Sequence, residues 1–153
     1  DNYFTNNVLM PYVQTYVSTY GVPFLTNTTH SHDLCLNRFW ARISKEGDYQ
    51  SIHDHQSVFT FVIWLKIPFD GNKERSIQPN FRPEAGDFCL VYTDTTGQIM
   101  KKNWILTPEL EGTILVFPSR INHIVYPHFS TDEYRVAVAG DVSLSSHNPL
   151  NEI

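Results

Sequence analysis

GTILVFPSRINH, residues 112–123, joins a glycine turn, an apolar run, a proline and a returning histidine. A second unit, GDYQSIHDH at residues 47–55, leads from a glycine turn into a strand-like run that carries two histidines. Because side chains alternate across a strand, His53 and His55 share one face. The presence of two such units predicts a β-barrel in which both units bring histidine to the same end. Since imidazole is a common metal ligand, we expect His53, His55 and His123 to form a metal site there.

The region from about residue 34 onward alternates short β-rich runs with turn residues. Eight such runs predict a sandwich or a barrel. We therefore expect a mainly β fold, a double-stranded β-helix (jelly roll), with its core at residues 34–143. The predicted strands are Leu36–Ser44, Ser51–His55, Val58–Ile67, Asp87–Thr93, Gln98–Leu106, Thr113–Phe117, His123–Tyr126 and Tyr134–Val142.

A helical pattern precedes this region. Apolar and aromatic residues recur at helical spacing over residues 9–20, which predicts an N-terminal helix packed on the sheet. Asn6 or Asn7 is expected to cap its start, and Gly21 to end it. The chain shows no linker and no internal repeat, so we expect a single domain over 1–153. Its expected parts are a helical segment and loop (1–33), the jelly-roll core (34–143) and a tail (144–153).

Composition narrows the classes of function. The net charge is −5, from 16 acidic and 11 basic residues, and no basic run is present, so a nucleic-acid partner is not expected. No apolar stretch approaches the ~20 residues that cross a bilayer, so no membrane partner is expected. The first residues lack the features of a signal peptide, and we expect a cytoplasmic protein. Cys35 and Cys89 are expected to be buried free thiols. The sequence leaves the oligomeric state open.

The two histidine units resemble the two motifs of the cupin superfamily, Gly-x5-His-x-His and Gly-x5-Pro-x-Gly-x2-His. This chain departs from them at two points. No Glu follows His55 where cupins place a carboxylate, and Arg120 stands where the second motif has Gly. The resemblance implies a cupin-like barrel.

A closer resemblance covers residues from about 35 to 143. The chain is similar to the iron(II)/2-oxoglutarate oxygenase-like proteins that are frequent in phages of marine cyanobacteria. The segments that carry the similarity are 53–57 (HDHQS), 61–68 (FVIWLKIP), 117–119 (FPS), 122–123 (NH), 125–127 (VYP) and 133–140 (EYRVAVAG).

That resemblance implies a hydroxylase-like dioxygenase with Fe(II) as cofactor and 2-oxoglutarate as co-substrate. His53 and His123 would be iron ligands, and Arg135 would bind the far carboxylate of the keto acid, which suits the fork of a guanidinium. Trp64 lies where many relatives have a Tyr beside the co-substrate. The other partners implied are molecular oxygen and a small-molecule or peptide substrate, in the host cytoplasm if the protein is phage-encoded. No catalytic residue beyond the metal ligands is implied.

His55 is the main departure from this family, which mostly has His-x-Asp or His-x-Glu at that position. Three-histidine sites serve in some cupin dioxygenases, so His55 remains the expected third ligand. Asp54 could replace it only if a β-bulge rotated the side chain inward. Two alternatives stay open: a cupin-type metal-dependent dioxygenase or isomerase without 2-oxoglutarate, and a non-catalytic jelly roll that binds sugar or belongs to a virion.

The remaining candidates carry weaker signals. His30 and His32 are expected in a solvated loop, and His128 and His147 at the surface. The polar loop around Phe69–Glu84 is expected to be a mobile lid. Ser57, Thr60 and Ser119 have no accompanying base and acid, so they are not expected to be nucleophiles. The candidates for lining the barrel are Arg38, Trp40, Arg42, Tyr92, Asn103 and Trp104.

Overall fold

The computed structural model describes residues 2–22, 33–77 and 83–145. Within them the chain forms two α-helices and eight β-strands. Every predicted strand is present, with ends shifted by a few residues at most. The elements are α1 (Met10–Tyr20), β1 (Leu34–Ser44), β2 (Gln50–His53), β3 (Phe59–Lys66), α2 (Gly71–Ile77), β4 (Phe88–Thr93), β5 (Ile99–Trp104), β6 (Ile114–Pro118), β7 (Asn122–Val125) and β8 (Arg135–Leu144).

The strands form two antiparallel sheets of four strands each, in the orders β1-β8-β3-β6 and β2-β7-β4-β5. The chain crosses between the sheets repeatedly, since β1, β3, β6 and β8 lie in one sheet and β2, β4, β5 and β7 in the other. This arrangement confirms the mainly β jelly roll that the spacing of strands and turns predicts. It also makes β1 and β2, which are consecutive in the chain, edge strands of the two sheets.

Strand β3 is buried on both faces, which explains why its sequence reads as a continuous apolar run. Val62 and Trp64 belong to the core between the sheets, together with Phe88 and Phe117. Phe59 and Phe61 belong to a second core, and Ile63 packs against it. Burial of several large aromatic side chains in each core provides the hydrophobic stabilisation of a chain of this size.

The N-terminal helix packs, as predicted, on the outer face of the sheet that contains β1, β8, β3 and β6. Leu9 and Val13 are fully buried against the cluster that contains Phe59. The predicted caps are wrong, because Asn6 and Asn7 lie inside a π-helical turn that runs directly into α1. That turn has no side-chain cap. Gly21 ends α1 as predicted, with φ +78°, a conformation that favours glycine.

The loop predicted at Phe69–Glu84 is wrong over part of its described first half, which forms helix α2; its role as a mobile lid stays a prediction. The helix is anchored, since the backbone N–H of Gly71 donates to the Leu106 carbonyl at 2.8 Å. Glu74 is 1% exposed and accepts hydrogen bonds from the backbone N–H groups of Phe129 (2.8 Å) and Ser130 (3.0 Å). Residues 78–82 of this loop lie outside the described residues.

Both cysteines are free, as predicted, and Cys89 is buried whereas Cys35 is half-buried. Among the described residues, no helix has the length and apolar character to span a membrane.

Candidate metal centre

Three histidines meet at one place in the barrel. His53 ends β2 and pairs in register with His123 of β7, so the ladder between these strands sets the two side by side. His55 lies just beyond β2, where its backbone N–H donates to the Ser119 carbonyl at 2.9 Å. One nitrogen from each ring lies within 4.8 Å of the other two, and such a set could hold a metal ion. Three nitrogens that bind one ion at about 2.1 Å, with angles of about 90–109° between the bonds, lie about 3.0–3.4 Å apart, so the rings would move closer by up to about 2 Å to form a ligand set.

Hydrogen bonds leave Nε2 of two rings available as a ligand atom. Nδ1–H of His53 donates to the Ser51 carbonyl at 2.7 Å, since a carbonyl can only accept. Nδ1 of His55 lies 3.1 Å from Oδ1 of Asp141, a second acceptor. In a neutral imidazole with Nδ1 protonated, Nε2 carries the lone pair that binds metal. The donor set therefore fits a metal ion that accepts neutral nitrogen ligands.

His123 is the most buried of the three, at 5% exposure. Its pKa is lowered from the usual 6.5 to about 3, by burial first and then by the neighbouring His53 and His55. Its Nδ1 has no hydrogen-bond partner among the described residues. The ring is therefore neutral at physiological pH, which is the form that binds metal.

A buried carboxylate behind His55 was missed by the sequence reasoning. Asp141 of β8 is 3% exposed and also accepts a hydrogen bond from Oγ1 of Thr60 at 2.9 Å. Burial acts to raise the pKa of Asp141, but its hydrogen bonds with His55 and Thr60 outweigh burial and lower it. An available signal was Asp141, the single charged residue in the otherwise apolar and small run of residues 136–144, since a buried carboxylate needs partners.

A cavity of about 200 Å³ connects the histidines with side chains from both sheets. Trp40 and Arg42 of β1 line it, as does Trp64 of β3. Arg42 is exposed, so it marks where the cavity reaches solvent. Among the described residues, no Asp or Glu lines this cavity.

Arg135 lies in the same cavity, at the first residue of β8. Its side chain is 3% exposed, and Nη1–H donates to the Tyr126 carbonyl at 3.1 Å. Nη2 has no hydrogen-bond partner among the described residues, and no carboxylate described there lies within ion-pair distance. Burial lowers its pKa to about 10, with a further contribution from Arg42, while Asp48 acts at longer range in the opposite direction, and the guanidinium stays charged at neutral pH. A buried cation without a direct ion-pair partner is costly, so this position suits an anionic ligand.

Trp64 is 2% exposed and packs edge-to-face on Phe88, with ring centroids 5.8 Å apart. The structure thus places both residues expected near a co-substrate, Trp64 and Arg135, in one cavity with the three histidines. Trp40, one of the candidates for lining the barrel, stacks on the His55 ring, with ring centroids 5.5 Å apart and an interplanar angle of 13°.

Other sequence-based candidates lie elsewhere. Asp54 is not rotated inward, because its carboxylate accepts a hydrogen bond from exposed Arg120 at 3.1 Å. The surface position predicted for His128 is wrong: it is fully buried and stacks on Phe69, with centroids 4.8 Å apart. Asn103 donates to buried Asp87 at 2.7 Å. The cavity lining, as far as the described residues go, does not include Arg38, Tyr92, Asn103 or Trp104.

His30 and His32, which are predicted in a solvated loop, and His147, which is predicted at the surface, lie outside the described residues. Ser57, Thr60 and Ser119 form a chain of hydroxyl contacts, with Thr60 Oγ1 and Ser119 Oγ 2.9 Å apart. Thr60 connects this chain to Asp141. The hydroxyls therefore support a carboxylate.

Comparison with known proteins gives the following relationships. A solved cupin domain from Bordetella pertussis Tohama I is 14% identical to this chain, with a TM-score of 0.38 over 79% of this chain and 100% of that one. No curated protein matches. Residues 38–141, more than half of the chain, match the family described as "Putative 2OG-Fe(II) oxygenase". The chain belongs to this 2-oxoglutarate/Fe(II) oxygenase family.

Proposed function

We propose that this protein is an Fe(II)/2-oxoglutarate-dependent dioxygenase that hydroxylates a small-molecule or peptide substrate. The observation that carries the proposal is Arg135, a buried guanidinium that forms no ion pair with a described carboxylate and lies in the same cavity as three clustered histidines. A metal site alone suits many reactions. A metal site with an unpaired buried cation in one cavity suits a metal-bound ligand that has a carboxylate at its far end.

The three histidines would hold the iron. Nε2 of His53 and Nε2 of His55 are left available by the hydrogen bonds of their Nδ1 atoms, and the burial of His123 keeps its ring neutral. Three protein ligands would leave further positions on the ion for a co-substrate and oxygen. Iron(II) with a bound keto acid supplies the oxidation of an unactivated C–H bond by molecular oxygen.

Arg135 and Trp64 would position the co-substrate. Nη2 of Arg135 is available to donate to a carboxylate, while the bond from Nη1 to the Tyr126 carbonyl fixes the guanidinium plane. Trp64 provides an apolar wall that excludes water but cannot offer the hydroxyl of a Tyr. A dry, low-dielectric site strengthens the charge-assisted hydrogen bond between guanidinium and carboxylate.

The substrate would approach from the exposed side of the cavity. At about 200 Å³ the cavity is smaller than the ~300–1,000 Å³ of pockets that enclose drug-sized ligands. A compact keto acid would occupy much of it, so we expect substrate contacts near Trp40 and Arg42 of the edge strand β1.

The experiment is an anaerobic titration. Fe(II) is added to the purified protein, followed by 2-oxoglutarate, and the visible charge-transfer band of the chelate is recorded. The proposal expects a saturable band from the native protein and a strongly weakened band from Arg135→Met. Bound iron without a band would overturn it and favour the cupin-type reaction without a keto acid. Absence of metal binding would favour a non-catalytic jelly roll.

A further inference from the structure

We infer that Asp141 is a positioning residue for the metal centre. Its carboxylate supplies, through a hydrogen bond with His55, the negative charge that a carboxylate ligand would place directly on the metal. The inference rests on the metal site proposed above. Oδ1 of Asp141 lies 3.1 Å from Nδ1 of His55, and the side chains are 5% and 16% exposed. This contact is therefore largely shielded from water, where electrostatic coupling between a carboxylate and an imidazole is strong.

The protein holds the Asp141 carboxylate in a fixed orientation. Asp141 pairs in register with Thr60 on the neighbouring strand, and Thr60 Oγ1–H donates to Oδ1 at 2.9 Å. Thr60 in turn contacts buried Ser119, which supports the backbone of His55 through its carbonyl. Among the described residues, His55 is the only ion-pair partner of Asp141. The buried charge is thus directed at the third histidine.

One face of the His55 ring is covered by Trp40, which stacks on it with ring centroids 5.5 Å apart and an interplanar angle of 13°. Stacking sets the plane of the ring, and the carboxylate sets its rotation within that plane. Because Asp141 accepts a hydrogen bond from Nδ1–H of His55, Nε2 is the nitrogen with the free lone pair. A carboxylate behind a ligating histidine also makes the imidazole a stronger electron donor.

This arrangement compensates for the histidine at position 55, where the family mostly has Asp or Glu. Two histidines and one carboxylate place a negative charge on the metal, whereas three neutral imidazoles place none. With Asp141 in contact, the set of three histidines and one carboxylate has the same formal charge, with the acidic group one hydrogen bond further from the metal. The metal site in this chain is therefore a four-residue unit.

The test is Co(II) binding by the metal-free protein, measured by titration of the visible ligand-field bands, without keto acid. Asp141→Asn keeps the shape and an acceptor oxygen but removes the charge, and we expect roughly 10–100-fold weaker binding and shifted bands. Asp54→Asn is the matched control, since Asp54 is adjacent to His55 but paired with exposed Arg120. We expect that control to bind as the native protein does.

A double substitution separates charge supply from packing. His55→Asp alone places two carboxylates together in a buried site, which disfavours both. Adding Asp141→Asn removes that repulsion, so the double variant is expected to bind Co(II) at least tenfold more tightly than His55→Asp alone. This comparison remains decisive if Asp141→Asn by itself folds poorly.

The possible results discriminate clearly. Native Co(II) affinity in folded Asp141→Asn, or a double variant no better than His55→Asp, would overturn the inference and leave the proposed oxygenase function standing. A native protein that binds no Co(II) would overturn the metal site and this inference together. Normal Co(II) behaviour with no keto-acid band would overturn only the oxygenase proposal.

Discussion

Arg135→Met separates a ligand-binding role of the buried guanidinium from a structural one. The substitution keeps an unbranched stem, shorter than arginine, and removes the charge, which forms no ion pair among the described residues. It also removes the hydrogen bond to the Tyr126 carbonyl. These two effects on the free energy of unfolding oppose each other, so we expect the ligand-free variant to remain within about 1 kcal/mol of the native protein.

Binding of 2-oxoglutarate should respond much more strongly. Nη2 is the donor left free for a carboxylate, and a charge-assisted hydrogen bond contributes about 1.5–3 kcal/mol, which corresponds to about 10–150-fold in affinity. At a keto-acid concentration of 100 times the native Kd, ligand binding stabilises the native protein by about 2.7 kcal/mol, or roughly 5–11 °C in Tm. With about 100-fold weaker binding, the variant gains only about 0.4 kcal/mol, or roughly 1–2 °C.

The assay is thermal unfolding of the Fe(II)-loaded protein without oxygen, with and without 2-oxoglutarate. Arg120→Met is the control, because Arg120 is an exposed arginine paired with Asp54 away from the cavity, and surface pairs contribute little. We expect the control to keep the full Tm shift. The reasoning is refuted if Arg135→Met keeps the shift as well, or if the ligand-free variant loses several kcal/mol of stability.

Three further outcomes are expected. In the metal-free native protein, His123 should lower the free energy of unfolding as the pH is decreased from 6.5 to 4, by about 1.4 kcal/mol per pH unit. The reason is that its pKa is about 3 in the folded protein and 6.5 in the unfolded chain. Denaturant titrations of His123→Leu at several pH values should show a shallower slope, and an unchanged slope would contradict the burial of a neutral ring. Gly140→Ala should destabilise by about 1–3 kcal/mol in such titrations, because a Cβ would lie 2.6 Å from the Phe61 ring; native stability would show that the strands are spaced differently. Arg42→Gln should weaken 2-oxoglutarate binding far less than Arg135→Met in the same thermal assay, since water screens exposed Arg42; an equal loss would place Arg42 on the keto acid.

Much of the fold follows from local patterns in the sequence. Strand positions come from alternation and turn residues, which act over a few neighbours. The alternation rule also placed His53 and His55 correctly with respect to Asp54, whose side chain pairs with Arg120. The meeting of His53 with His123 follows from two strands that return to the same end of the barrel.

Other features depend on contacts between distant segments, which spacing does not reveal. Asp141 lies eighty-six positions from His55, and only the sheet register brings Thr60 and Asp141 together. His128 reads as a polar residue in a turn, but stacking on Phe69 and a bond to the Glu133 carbonyl allow its complete burial. Helix α2 forms within a polar loop because buried Glu74 accepts backbone N–H groups from a segment far along the chain.

The central claim is that one cavity holds a metal on three histidines and a keto acid on Arg135. The most direct measurement is a crystal structure of the protein prepared without oxygen, with Fe(II) and 2-oxoglutarate, using anomalous scattering to locate the iron. We expect the anomalous peak among His53, His55 and His123, and the far carboxylate of the keto acid at hydrogen-bond distance from Arg135. An iron peak elsewhere, or a keto acid whose carboxylate avoids Arg135, would contradict this account.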